Sequence, residues 1–249
     1  MKSINLLITS AAAAAIFAGC GAAHHGAHWS YEGDEGPSHW GELTPEYTMC
    51  QSGQEQSPIN LTVTKHHTDR VLEFDYKTSP LDEVNNGHTI KFDYAPGSSL
   101  TVDGKRYELL QFHFHAPSEH TIGGEHHPIE FHLVHKSEDG KLAVVGMMVV
   151  EGKENPAFAG LVANLTYQHG GEKHKKDVTI DMKTMLPNTA KFYHYTGSLT
   201  TPPCSEKVEW FVLKEPVEFS KEQIIAFEKA YTHNNRPVCP INGRIVDFH

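Results

Sequence analysis

Apolar and polar residues alternate in short runs along most of this chain, with the period of a β-strand. Side chains two residues apart share a strand face. In "LLQFHFH", residues 109–115, the alternation groups Gln111, His113 and His115 on one face and Leu110, Phe112 and Phe114 on the other. In residues 129–135 it groups Glu130, His132 and Val134, with Phe131 and Leu133 opposite. Short β-rich runs at 71–76, 89–94, 142–150, 191–195 and 208–213 predict further strands. Turn-forming clusters separate them, among them Asn85-Asn86-Gly87, Ala95-Pro96-Gly97, Asp103-Gly104 and Gly123-Gly124. A helical period appears over 221–231, where Ile224, Phe227 and Tyr231 share a face and Ser220 and Gln223 form a capping-box pattern. A weaker helical stretch covers 156–165. No β-α-β alternation occurs. The expected class is mainly β (α+β), a single domain built on a large twisted, mostly antiparallel central sheet with short peripheral helices.

Histidine changes the picture. Seven of the chain's 19 histidines fall between Leu109 and Lys136. His66, His67, His126, His127, His169 and His174 lie in polar surroundings and read as surface residues. His113, His115 and His132 differ, because each alternates with large apolar residues on a predicted strand. Three neutral imidazoles without a cysteine suit tetrahedral Zn²⁺ with its fourth position open to water. Gln111 and Glu130 are spaced to accept the remaining ring N–H groups. The plainer alternative is three separately hydrogen-bonded histidines on a polar sheet face. A second metal reading takes His113, His115 and Glu119 as the H-x-H-x₃-E ligands of a cupin barrel. The glycines that such a barrel needs on either side are replaced here by Tyr107 and His126.

Composition narrows the class of partner. A hydrophobic content of 39% can build a sizeable core, and a net charge of −10 excludes a nucleic-acid or anionic-membrane surface as partner. Lys2 precedes an apolar run at 4–17 that is too short to span a bilayer and suits an export signal. The run ends in Phe17-Ala18-Gly19-Cys20, which resembles a bacterial lipoprotein processing box with Cys20 as the lipidated residue; plain cleavage nearby is the alternative. The expected organisation is a signal peptide over 1–19, a flexible tether over 20–28 and a catalytic domain over 29–249, in a periplasmic protein held to the membrane through Cys20. Export permits a disulfide. The spacing of Cys50, Cys204 and Cys239 leaves all three pairings open and at least one thiol over.

Several motifs then occur in a recognisable order: Gly36-Pro-Ser-His-Trp40, Gln56-Ser-Pro-Ile-Asn60, Asn86-Gly87-His88, Gln111-Phe-His-Phe-His115, Ser118-Glu-His120, Glu130-Phe-His-Leu-Val-His135, Tyr195-Thr-Gly-Ser-Leu-Thr-Thr-Pro-Pro203, Trp210 and Asn234-Asn-Arg-Pro237. From about Trp29 onward the chain resembles the alpha-class carbonic anhydrases in their exported bacterial form. The resemblance implies one zinc per chain on His113, His115 and His132, and hydration of carbon dioxide to bicarbonate and a proton by zinc-hydroxide attack. It implies that Gln111, Glu130 and the Asn234 carbonyl orient the ligands. Thr200 would donate to Glu119 and Thr201 would help hold bicarbonate. Val134, Val144, Leu199, Val208 and Trp210 would form an apolar wall for carbon dioxide. His88 would be the proton shuttle, with Tyr31 and Asn86 ordering its waters, and Cys50 would pair with Cys204, leaving Cys239 without a role. Two features depart from animal members of the family: Ala116-Pro117 after the first ligand pair, and Lys91 near the proton path. A function of another class, a catalytically silent histidine-rich lipoprotein that buffers zinc, is disfavoured because all the ligands, Glu119, Thr200 and His88 are present. The sequence leaves the oligomeric state open.

Overall fold

The alternating runs become one sheet. In the computed structural model, which describes residues 27–66, 70–187 and 191–249, 13 strands pair into a single sheet. Its spine runs in the order Glu172–Ile180, Ser79–Asn85, Ile90–Asp93, Lys105–His115, Ile129–Ser137, Leu142–Glu151, Glu206–Leu213, Phe192–Ser198, Asp247–Phe248 and Lys65–His66. Most neighbours are antiparallel; Leu142–Glu151 with Glu206–Leu213, and Asp247–Phe248 with Lys65–His66, are parallel. The export segment with Cys20, the start of the tether, and His67 lie outside the described residues.

The two faces of the sheet do different work. One carries Phe112, Phe114, Phe131, Leu133, Val145 and Phe211 into the main core. The helix Lys221–Ala230 closes that face, its Phe227 ring lying 4.9 Å from Phe114 and 5.4 Å from Phe131. Each such fully buried side chain contributes about 1.5–3 kcal/mol of transfer free energy. The capping box expected at Ser220 and Gln223 is present. The opposite face carries the imidazoles and a smaller apolar cluster that includes Val144, Val208 and Trp210.

Three local features depart from the alternation. Leu110 does not join Phe112 and Phe114: a register shift between Leu109 and Gln111 turns Leu109 into the core and leaves Leu110 41% exposed. The bulge takes up one residue, so the histidines beyond it keep their face. The strand Ser79–Asn85 carried no apolar signal because its inward residues are Ser79, Leu81, Glu83 and Asn85, mostly polar yet buried. The edge strand Glu172–Ile180 is mostly exposed and lysine-rich, which discourages pairing with other chains. The weak helix expected at 156–165 reduces to a 3₁₀ turn, Pro156–Phe158, capped by Asn155, and one α-turn, Ala159–Val162.

Candidate metal centre and active site

Strand register explains how residues far apart in sequence meet. His113 sits opposite His132, with Lys91 and Gly146 as the next neighbours across the same row. One row on, His115 faces Glu130. One row back, Gln111, Val134, Val144 and Trp210 follow one another across four strands. Gly146 leaves room here: a Cβ would come within 3.0 Å of the Glu130 carboxylate and 3.1 Å of Val212.

Each of the three imidazoles has one nitrogen engaged and one directed elsewhere. His113 Nδ1 lies 2.9 Å from Gln111 Oε1, His115 Nδ1 lies 2.6 Å from the Asn234 carbonyl, and His132 Nε2 lies 3.0 Å from Glu130 Oε1, somewhat off the line of an ideal hydrogen bond. One ligand atom from each ring falls within 4.8 Å of the other two. His115 Nε2 is buried with no hydrogen-bond partner, a costly arrangement unless something else meets it. Burial, followed by repulsion from His115 and His132, holds His113 well below the usual imidazole pKa; burial lowers His115 to about 4 and lowers His132 as well. All three are therefore neutral near pH 7, the form a metal ligand must take. The donor set, three imidazole nitrogens converging on one point with their other nitrogens held, fits a zinc ion.

Two other groups could be mistaken for metal sites. His120 lies against Glu130 and His132, but its Nδ1 is 2.7 Å from Glu130 Oε1 and its Nε2 is 2.6 Å from the Tyr195 hydroxyl, so both nitrogens are engaged. His194 groups with Asp247 and His249, yet its Nε2 meets Glu209 at 2.7 Å and its Nδ1 meets the Arg70 guanidinium at 2.8 Å. A guanidinium occupies the place where a cation would bind.

The carboxylates are set by the same network. Glu130 accepts the backbone N–H groups of Glu119 and His120 on Oε2, both at 2.9 Å. Burial pushes its carboxyl up, but the imidazoles of His120 and His132 outweigh burial and hold it well below the usual range. Glu119 Oε1 accepts the Arg236 N–H at 2.8 Å. Its Oε2 has no partner in hydrogen-bond geometry, although the Thr200 hydroxyl is near enough to favour the ionised form. Burial nevertheless pushes the Glu119 carboxyl up to about 7. Glu119 Oε2 lies 3.5 Å from His115 Nε2 and 3.8 Å from His132 Nδ1, next to two of the converging nitrogens.

Thr200 and Thr201 follow the strand Phe192–Ser198 in a loop tied from several sides. Leu199 N–H bonds to Ser205 at 3.0 Å, Cys204 N–H to Thr201 at 2.9 Å, and Gln56 Nε2 to the Cys204 carbonyl at 3.1 Å. Cys50 and Cys204 form the disulfide implied by the resemblance, closing a separation of 154 residues. In the chain-entropy model a loop of that length stabilises by about 5 kcal/mol. Among the described residues, Cys239 is the free thiol. Val144, Val208 and Trp210 are buried, with Val134 and Leu199 packed on them, and the Trp210 ring lies 4.8 Å from His132.

A cavity of about 140 Å³ is lined by His113, His115, Thr201, Tyr31, Asn86 and His88; His132, Thr200 and the apolar cluster around Trp210 do not line it. A wider cleft of about 570 Å³ continues outward from His88, Tyr31 and Asn86 past His169 and His233. The His88 ring stacks on Trp29 at 3.6 Å and 7°. Burial, then the nearby His28 and His169, lowers its pKa from the usual value. Asn86 spends its side-chain oxygen on the turn, accepting the N–H groups of His88 and Thr89 at 2.9 Å each. Lys91 also lines the cavity and pairs with Asp93 at 2.7 Å. A larger surface cleft, about 810 Å³ between residues such as Lys105, Glu108, Lys136 and Asp139, carries mixed charge and no imidazole. Size alone does not locate this site.

Two residues escaped assignment from sequence. His120 is fully buried between Glu130 and Tyr195. Arg236 holds Glu119 through its backbone, while its guanidinium binds Gln56 Oε1 and the Ser57 carbonyl, both at 2.9 Å, and the Cys50 carbonyl at 2.8 Å. Both stand inside the quoted motifs, and their burial was the missing signal.

Known proteins resemble this chain in sequence and fold. Residues 35–249 match the family described as eukaryotic-type carbonic anhydrase. A carbonic anhydrase of Klebsiella pneumoniae is 45% identical over 223 residues, covering 88% of this chain and 90% of that protein. The alpha-carbonic anhydrase of Thermovibrio ammonificans, solved with the inhibitor sulfanilamide, superposes with a TM-score of 0.82 at 46% identity, over 89% of this chain and 99% of that one. A hyperthermostable carbonic anhydrase from a hydrothermal vent chimney gives a TM-score of 0.84 at 47% identity, with the same coverage of both chains. The open sheet and these relatives set aside the cupin and zinc-buffer readings: the chain belongs to the alpha-class, or eukaryotic-type, carbonic anhydrases.

Proposed function

We propose that the chain hydrates carbon dioxide reversibly at a zinc ion held by His113, His115 and His132. The observation that carries this reading is the convergence of three neutral ring nitrogens whose partner nitrogens are already fixed. Zinc bound there would lower the pKa of a coordinated water to about 7, as it does in carbonic anhydrases, and so supply a nucleophile at neutral pH. Gln111, Glu130 and the Asn234 carbonyl keep the three rings turned to the ion. Val134, Val144, Leu199, Val208 and Trp210 offer uncharged carbon dioxide a surface without polar competition. The Thr200 N–H and the Thr201 side chain hold the bicarbonate product. His88, with Tyr31 and Asn86 along the cavity, carries the released proton outward. The direct test is stopped-flow carbon dioxide hydration before and after a zinc chelator; activity that survives complete removal of zinc would overturn the reading.

Glu119 acts by direction and not by ligation. Its Oε1 is committed to the Arg236 N–H, so Thr200 gives its proton to Oε2 and keeps only lone pairs for the reacting oxygen. In Glu119→Gln an amide N–H₂ faces the Thr200 hydroxyl and reverses that bond. Zinc should stay stoichiometric while hydration falls about 10²-fold, the usual scale for losing one preorganised hydrogen bond. Loss of metal from this variant would make Glu119 a ligand after all.

The reading includes export by residues 1–19, a tether to residue 28 and a catalytic domain over 29–249, with Cys20 lipidated on the periplasmic side. Wild type should incorporate a fatty-acid probe and partition with membranes, and Cys20→Ala should do neither. Equal, poor labelling of two soluble proteins would mean plain secretion.

A further inference from the structure

We propose that Asn85 is a positioning residue for proton transfer, its buried side chain fixing the turn that presents His88 to the metal centre. The inference rests on His88 being the proton relay. Asn85 closes the strand Ser79–Asn85 and is wholly buried. A buried amide is costly unless its polar atoms are met, and here each side-chain and backbone polar atom has a partner. Its Nδ2 donates to the Thr166 carbonyl at 2.8 Å, and its Oδ1 accepts the Gly87 N–H at 3.2 Å and the Tyr231 hydroxyl. Its own N–H donates to the Gly171 carbonyl at 2.9 Å and its carbonyl accepts the Gly170 N–H at 2.8 Å. One residue thus ties the turn to the 166–171 loop and to the end of the helix Lys221–Ala230.

The turn is held from the other side as well. Asn234 Nδ2 donates to the His88 carbonyl at 3.0 Å and to the Phe114 carbonyl at 3.1 Å, while its Oδ1 accepts the Ala116 N–H at 2.8 Å. Phe114 and Ala116 flank the proposed ligand His115. Gly87, at φ +89°, takes the left-handed conformation that lets its N–H turn back to Asn85. The backbone around His88 is therefore fixed at Gly87 by Asn85, at its own N–H by Asn86 and at its carbonyl by Asn234. A valine at position 85 would leave the Gly87 N–H and the Thr166 carbonyl without these partners. The amide ties the turn of His88 to Thr166 and Tyr231, while Asn234 ties it to the strand of His113 and His115. Misplacement by 1 Å can cost about 10²-fold in a step that depends on alignment.

The test uses the complete zinc enzyme and three variants. Asn85→Ala should lower kcat in dilute buffer about tenfold while kcat/KM stays within about twofold, and added imidazole should restore kcat. Tyr231→Phe, which removes only the hydroxyl bond to Asn85, should shift kcat the same way by less. A second readout does not depend on turnover: the His88 Cε1–H resonance, shifted by the Trp29 ring at 3.6 Å, should move towards its unstacked position in both variants. A parallel fall of kcat and kcat/KM without imidazole rescue, or an unmoved resonance, would reduce Asn85 to a structural role. If Asn85→Ala does not fold, Tyr231→Phe decides by the same criteria. His88→Ala run alongside separates the failures: unchanged kcat there refutes the relay, and the resonance still decides whether Asn85 holds the ring.

Discussion

Replacing His113 with alanine should strip the zinc and abolish carbon dioxide hydration. The three imidazoles supply every protein ligand in the proposed set, so removing one leaves two nitrogens and a wider opening to water. Structural zinc sites with four ligands bind with about 10–16 kcal/mol, so one ligand is worth about 10²–10³-fold in affinity. Position 113 also separates metal loss from unfolding. The His113 ring lies on the site face of its strand and lines the cavity, away from the phenylalanine core. Truncation there opens no cavity among Phe112, Phe114 and Phe131. Gln111→Ala, which removes only the partner of His113 Nδ1, should cost about 10–100-fold in zinc affinity. Metal analysis after dialysis against a graded chelator would order the three proteins. Stoichiometric zinc together with full hydration in His113→Ala would sink the ligand assignment.

Much of this architecture was legible because its strands bury apolar residues. The runs around Phe112 and Phe131 announced themselves by alternation, those around Val145 and Phe211 by continuous apolar residues, and the helix at Lys221 by its cap. The strand Ser79–Asn85 escaped for a physical reason: its inward residues include Asn85, whose amide is hydrogen-bonded, and Glu83, whose Oε1 accepts the Thr166 N–H while its Oε2 is buried without a partner. Alternation reads hydrophobicity and is silent where burial is paid in hydrogen bonds. The bulge at Leu110 escaped because one inserted residue changes a side chain's face without changing the composition of the run. In the candidate site, ligand types and spacings were readable, and the resemblance supplied roles for Glu119, Thr200 and His88. What the sequence withheld was register. Only pairing across strands puts Gly146 beside His132, where the missing Cβ admits the Glu130 carboxylate, and only the folded chain brings His120 and Arg236 to the two carboxylates.

Replacing His88 with alanine should slow turnover without slowing the attack on carbon dioxide. Each hydration leaves one proton at the metal centre, and it must reach solvent before the next cycle. A group of pKa about 7 passes its proton to bulk water at roughly 10³–10⁴ s⁻¹, whereas carbonic anhydrases reach about 10⁶ s⁻¹. Something must carry the difference, and imidazole is the side chain that titrates in that range without perturbation. His88 shares a cavity with His113 and His115 and also lines the outer cleft, so it stands between the proton's origin and solvent. Burial lowers its pKa, with His28 and His169 adding to the effect. The ring is therefore neutral at pH 7 and able to accept, and once protonated it releases readily to buffer. Carbon dioxide attack precedes the proton's departure, so kcat/KM should hold while kcat in dilute buffer falls about 10²–10³-fold, to the rate of direct release. Imidazole added to the solution should restore kcat with saturating dependence, because it takes the same proton at the same cavity. The measurement is stopped-flow hydration across buffer concentrations, with kcat and kcat/KM fitted separately. An equal fall in both constants, or a kcat that imidazole leaves unmoved, would show that the proton leaves by another route.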